Sequence, residues 1–203
     1  DARARLTEAR KAWGPLVRPV FRRCQINAHT KRQLFESLVM SRLLYNAHIW
    51  SMISDEELSK WANGIRSMVY PLVRSALRGL PPFQFDIDTL CGLVELLTPG
   101  DALHAARLRY FRRWITGAPP LLWHLVHDSA STSCSWLSSL RQSFAWFSTF
   151  YGARCGLTKD SSLVDWVTFV TIDERLKGRV RSAVNSCRQY RRQRSEEHTS
   201  ELQ

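Results

Sequence analysis

Metal-assisted phosphoryl transfer needs carboxylates that hold two metal ions a few ångströms apart. This chain has no adjacent pair of aspartates, and its nearest approaches are Asp86-x-Asp88 and the cluster Asp55-Glu56-Glu57. Both read as helix starts, where a short acidic side chain caps free backbone N–H groups and suits the positive end of the helix dipole. His124-x-x-His127 with Cys134 supplies zinc-ligand types. A structural zinc site takes four ligands and usually a C-x-x-C arm, and no such arm is present. No Gly-rich phosphate loop, H-E-x-x-H helix or G-x-S-x-G elbow occurs. The expectation is a chain with no catalytic residue, no metal, no cofactor and no small-molecule substrate.

What the chain has instead is positive charge. Its 203 residues carry 29 Lys and Arg against 18 Asp and Glu, a formal net charge of +11. A balance of that size implies a polyanionic partner, nucleic acid before an anionic membrane surface. No apolar run approaches the roughly eighteen residues of a membrane span, and a soluble, intracellular protein, nuclear or cytoplasmic, is expected. Cys24, Cys91, Cys134, Cys155 and Cys187 are odd in number and scattered, the pattern of reduced thiols.

Two basic groups stand out as candidate phosphate contacts. Lys31 and Arg32 fall in the expected first turn of a helix, where each cation costs about 0.3–1 kcal/mol unless an anion sits there. Arg107, Arg109, Arg112 and Arg113 lie in a stretch, Ala102 to His127, that contains no acidic residue and so no internal counter-ion. Solvated side chains on a water-facing helix are the alternative for both groups.

The elements that must position these cations all read as helices. The chain's best-specified stretch is Thr30 to Trp50. Thr30 with Gln33 forms a capping box, so the helix should begin at Lys31, and Leu34, Phe35, Leu38, Val39, Arg42, Tyr45 and Ile49 recur along one stripe. Before it, Ala4 to Arg23 forms a helix with Leu6, Ala9, Trp13, Leu16, Val17 and Val20 inward, kinked at Gly14-Pro15. Its outer face carries Arg3, Arg5, Arg10, Lys11, Arg18, Arg22 and Arg23, and the loop CQINAH follows.

After Trp50, Ser54 with Glu57 caps a helix that Pro71 should interrupt, and LPPFQF is a stiff connector. A short helix over Leu90–Leu97 precedes Thr98-Pro99-Gly100-Asp101, which starts a helix to Thr116 with Leu103, Ala106, Tyr110 and Trp114 inward. Trp136, Leu140, Phe144, Phe147 and Tyr151 make an aromatic helix. DWVTFVTID, rich in β-branched residues, is the best candidate for a strand. A last helix, Asp173 to Tyr190, should bury Leu176, Val180, Ala183, Val184 and Cys187. The reading is all-α: a bundle of about seven to nine helices.

Several of these segments resemble one family. SLVMSRLLYNAHIW, preceded by ARKAWGPLVRPVFRR and followed by RLRYFRRWITGAPPLLWHLV, resembles the region downstream of the catalytic palm in reverse transcriptases of non-LTR (LINE-like) retrotransposons. The resemblance covers roughly Ala4 to Gln193, and Asn46 stands where that family commonly has a glycine. It implies thumb-like helices over residues 1–80 and a helical connector over residues 81–193. It also implies that the polymerase carboxylates, an Asp-Asp palm motif with Mg²⁺, lie on a part of the parent RNA-directed DNA polymerase absent from this chain.

RSEEHTSELQ, Arg194 to Gln203, looks like a translated sequencing adapter, so residues 194–203 are expected to be a non-native, disordered tail. Without it the balance is 28 basic against 15 acidic, or +13. With no initiator methionine at Asp1, both ends are expected to be truncations. The resulting expectation is a non-catalytic fragment that grips RNA or an RNA–DNA template–primer by its backbone, beside its missing palm. The alternatives are a helical protein-interaction domain, which would expose Trp136, Phe144 and Phe147, and a decayed element fragment.

Overall fold

The computed structural model describes residues 2–49, 54–74, 77, 84–119, 136–151, 156–158, 160–172 and 175–201, and the fold is all-α. No strand occurs among the described residues. The chain divides into two compact units. The first comprises Asp1–Tyr45, Ser54–Gly100 and Cys187–Gln203, and the second Asn46–Ile53 and Asp101–Ser186. This differs from a division at residue 80, because the segment that follows, from Phe85 to Leu96, buries its apolar side chains within the first unit.

In the first unit, α1 (Ala2–Trp13) runs on through a 3₁₀ turn at Gly14–Leu16 and a π turn at Val17–Phe21. Pro15 and Pro19 each lack an N–H, and the chain accommodates them by first tightening and then widening the turn. The Arg22 N–H reaches back five residues to the Val17 carbonyl at 2.9 Å. Widening moves the apolar stripe by one position: Phe21 is fully buried and Val20 is not.

The next helix begins earlier than its Thr30 signal suggests. Asn27 is the cap, its side chain accepting from the Thr30 N–H at 2.7 Å, so α2 spans Ala28–Leu34 and takes in part of the expected loop. Asparagine in an extended conformation is as strong a cap as threonine. A π turn at Phe35–Met40 leads into α3 (Ser41–Leu43). Here too the widened turn adds one residue, and the buried set becomes Phe35, Val39, Met40 and Leu43. Leu38, Arg42 and Tyr45, expected inside, are exposed, Tyr45 by 58%. Arg5 covers the Tyr45 ring at 4.9 Å.

Ser54 caps α4 (Asp55–Val73) as its spacing predicts, accepting from the Glu57 N–H at 3.2 Å. Pro71 does not end this helix. It removes one bond near the C-terminus, while buried Val69, Leu72 and Val73 on either side hold the backbone helical. α4 lies against α1 and against α5 (Ile87–Leu93). Asp86 caps α5, accepting from the Thr89 N–H at 2.7 Å, so the short helix starts three residues earlier than Leu90. It closes through the Leu96 N–H to Cys91 O (2.8 Å) and the Glu95 N–H to Gly92 O (3.0 Å), a Schellman closure with Glu95 at φ +54°.

In the second unit, α6 (Pro99–Gly117) starts with Pro99 as expected, and α7 (Trp136–Tyr151) and α8 (Leu163–Ile172) pack an aromatic core against it. Phe144 and Trp166 stack at 4.3 Å with their planes 4° apart, and Phe111 meets Phe144 edge-on at 5.3 Å. Residues 165–172 of the candidate strand are helical. Ser162 and Asp165 form a reciprocal capping box: Ser162 Oγ accepts from the Asp165 N–H (3.1 Å), and Asp165 accepts from the Ser162 N–H (2.9 Å). That start signal outweighs the β-branched content.

α9 (Leu176–Glu201) buries Leu176, Val180, Ala183, Val184 and Cys187 as its period predicts. It does not stop near Tyr190. Residues 194–201 continue the helix, with Ser195 and Thr199 buried, so the expected disordered tail is ordered as far as Glu201. Gly92 makes room for it: a Cβ there would lie 2.0 Å from Ser195 Oγ and 2.5 Å from the Arg191 carbonyl.

Candidate nucleic-acid interface

The six cations singled out in the sequence divide three ways. Lys31 belongs to the second turn of α2 rather than its first, so the unfavourable-dipole argument no longer applies to it, and it is 9% exposed. Arg32 is half-buried. Its guanidinium donates to Glu95, which also accepts from Arg192 at 2.8 Å. These contacts make it part of the first unit's internal ion-pair network rather than a free phosphate ligand. Arg107 is only 2% exposed and lies in the second unit's core, because α6 buries the positions around Leu103, Leu108, Phe111 and Trp114. Burial pulls its ordinarily very high pKa down to about 10. Arg112 is half-buried, and Arg109 and Arg113 are exposed on α6. Lys31 and Arg32 belong to the first unit and the four arginines to the second.

Around Arg107 the second unit holds a buried polar cluster. His104 Nδ1 sits 3.0 Å from Ser143 Oγ, whose hydroxyl donates to the Ser139 carbonyl at 3.0 Å. The Asp101 carboxylate accepts from Trp146 Nε1 at 2.9 Å. Burial first, then the Arg107 charge, push the His104 pKa down to about 4, with Asp101 acting weakly the other way. Hydroxyl, imidazole and carboxylate in proximity resemble a nucleophile with its base. Ser143, however, has no exposed surface and its hydrogen is committed to a backbone carbonyl. This cluster therefore orders a core.

The acidic clusters behave as their capping reading predicts. Asp86 caps α5; burial raises its pKa, but the Thr89 hydrogen bonds, aided by His198 and Arg66, carry it below the usual carboxylate range. Asp88 pairs with Arg191 at 2.6 Å. His124, His127 and Cys134 lie outside the described residues, as does Cys155; Cys24 is exposed, Cys91 and Cys187 are buried, and none of these three forms a disulfide. No group of three or more metal-ligating side chains occurs among the described residues.

Besides Arg113, further exposed charge without a carboxylate partner among the described residues sits elsewhere. Arg10, Arg18, Arg22 and Arg23, along α1 and its 3₁₀ and π extension, are exposed and have no carboxylate partner among the described residues. The expected basic outer face of this helix includes them, yet they were not among the candidate contacts. A sequence signal for them exists: residues 9–35 contain seven cations and no acid, the same feature that singles out Ala102 to His127. Of the aromatic residues that would mark a protein-docking face, Phe144 and Phe147 are buried and Trp136 is half-buried, its indole donating to the His48 carbonyl at 2.9 Å.

No protein-family model, no curated protein and no solved structure matches the chain. No helix among the described residues is long and apolar enough to cross a membrane.

Proposed function

We propose that the chain is a non-catalytic, nucleic-acid-binding piece of a retrotransposon-type reverse transcriptase. On this reading it holds RNA or an RNA–DNA duplex by the sugar-phosphate backbone, inside the cell, while the Mg²⁺-dependent polymerase chemistry belongs to a palm elsewhere in the parent protein. The observation that carries the reading is the set of exposed arginines Arg10, Arg18, Arg22 and Arg23, without carboxylate partners among the described residues, on a chain of net charge +11. Guanidinium groups so presented match phosphate oxygens by charge and by their forked donors, without reading base sequence.

A second, smaller support comes from Asn46. Its φ of +57° is the left-handed conformation that glycine adopts freely and asparagine tolerates best, and the resembled family commonly has glycine at this position.

The test is fluorescence anisotropy with a labelled RNA–DNA duplex at 50 and 200 mM salt. Four neutralised phosphates give a log–log slope near −3.6, which is roughly a hundredfold loss of affinity over that range. Weak binding that does not change with salt rejects the reading.

A further inference from the structure

Near the end of the first helical segment the first unit has a cleft of about 340 Å³, lined by Phe21, Arg22, Cys24, Lys31, Tyr70 and Arg74, together with Pro71. Three of its side chains are cations and none is an acid. Lys31 is more than nine-tenths buried, yet its ammonium has no hydrogen-bond or ion-pair partner among the described residues. Arg22 and Arg74 are exposed and likewise lack a carboxylate partner. The stem of Lys31 is enclosed while its Nζ reaches the solvent of the cleft, whereas the half-buried cations Arg32 and Arg188 of the same unit pair with Glu95 and Glu36. The exception is at a cleft open to solvent.

We infer that this cleft binds a phosphomonoester dianion, held by the Lys31 ammonium on its buried stem and by the guanidinium groups of Arg22 and Arg74. Three positive charges at one cleft exceed what the single charge of an internal phosphodiester offsets, and they suit the two charges of a terminal phosphate. Tyr70 and Phe21 give the cleft aromatic walls. The chemistry has two sources, the 5′-phosphate end of a nucleic acid and a free phosphate or small phosphoester. The inference rests on the backbone-binding reading only for the first.

The experiment compares short single-stranded oligonucleotides of one sequence bearing 5′-phosphate or 5′-hydroxyl at fixed salt, alongside inorganic phosphate titrated against thermal stability. Each is repeated with Lys31→Met, which keeps the apolar stem, with Arg74→Gln, and with Arg141→Gln as a control outside the cleft. A 5′-phosphate preference of about tenfold that Lys31→Met and Arg74→Gln abolish and Arg141→Gln leaves intact assigns the site to nucleic-acid ends. Stabilisation by phosphate that Lys31→Met removes, without an end preference, assigns it to free phosphate or small phosphoesters. If wild type shows neither response, or Arg74→Gln and Lys31→Met both leave the responses unchanged, the site is overturned. A steep salt dependence with no end preference would sustain the backbone-binding reading while rejecting this one for nucleic-acid ends, so the two fail separately.

Discussion

Among the stretches of this chain that are rich in cations and free of acids, residues 9–35 and 102–127 are treated differently by the fold. In the first, Arg10, Lys11, Arg18, Arg22 and Arg23 remain on the surface, Lys11 paired there with Glu8 at 2.7 Å, and only Lys31 and Arg32 are drawn inward. In the second, the described part is a helix packed into an aromatic core, and its period takes Arg107 to the interior while Arg109 and Arg113 stay outside. A basic run therefore locates charge along the chain but not on the surface. Whether a cation can meet a phosphate depends on the apolar positions that share its helix, since these decide which face turns inward.

The difference is sharpest under acid. His104, in the second unit beside Arg107, has its pKa depressed from 6.5 to about 4 by burial and by that charge. The folded state thus binds its proton less readily than the unfolded chain, so the associated stability is fully present above pH 6.5 and falls as pH drops towards 4. The loss is roughly 3 kcal/mol. His48, also in the second unit, is shifted the same way by its burial and by Arg113. Urea melts at pH 7 and pH 4.5 should show this loss in the wild type. His104→Gln should flatten most of it, and an unchanged pH slope in that variant would place the acid-sensitive group elsewhere.

Binding should separate the two runs next. Replacing Arg10, Arg18, Arg22 and Arg23 together by glutamine is expected to weaken an RNA–DNA duplex by roughly a hundredfold at low salt and to cut the salt slope by about 3.6. Arg107→Met, which removes a guanidinium that solvent barely reaches, should leave affinity unchanged. Its stability should fall by roughly 1–3 kcal/mol, because methionine cannot make the interactions that Arg107 holds in the core. Arg109→Gln with Arg113→Gln should fall between, at around tenfold or less. If Arg107→Met weakened binding as much as the four-fold variant, the distinction between the runs would collapse.

Much of the architecture was legible because it depends on local chemistry. Ser54 and Asp86 offer an oxygen to an N–H three residues on, and that pairing needs nothing beyond the adjacent chain. The spacing of Leu176, Val180, Ala183, Val184 and Cys187 likewise marks one face of a regular helix. What stayed hidden depends on packing from a distance. The π turns at Val17–Phe21 and Phe35–Met40 each insert a residue, so every apolar position after them moves by one: Phe21 replaces Val20, and Leu43 replaces Arg42 in the buried set. No periodicity count anticipates such a turn. The candidate site fared the same way. Arg109 and Arg113 are where a simple helical wheel puts them, but Arg107 shares a face with Phe111 and Trp114, and Lys31 depends on a cap at Asn27 instead of Thr30.

The smallest expected effect tests how the first unit holds its one strained ion-pair centre. Glu95 occupies the left-handed closing position of α5, where a glutamate costs about 1–2 kcal/mol relative to glycine. Its carboxylate is shared by Arg32 and Arg192. Burial raises its pKa, yet hydrogen bonds from the two arginines carry it below the usual range. Because the carboxylate is more than a third exposed, each pair contributes only about 0.2–1 kcal/mol. Glu95→Gly removes the strain and the pairs together, so the two changes should nearly cancel. Glu95→Ala removes the pairs and keeps the strain, and should melt below Glu95→Gly by the equivalent of about 1 kcal/mol. Were alanine and glycine to give equal melting temperatures, the left-handed backbone at this position would carry no measurable cost, and the two arginines alone would account for the glutamate.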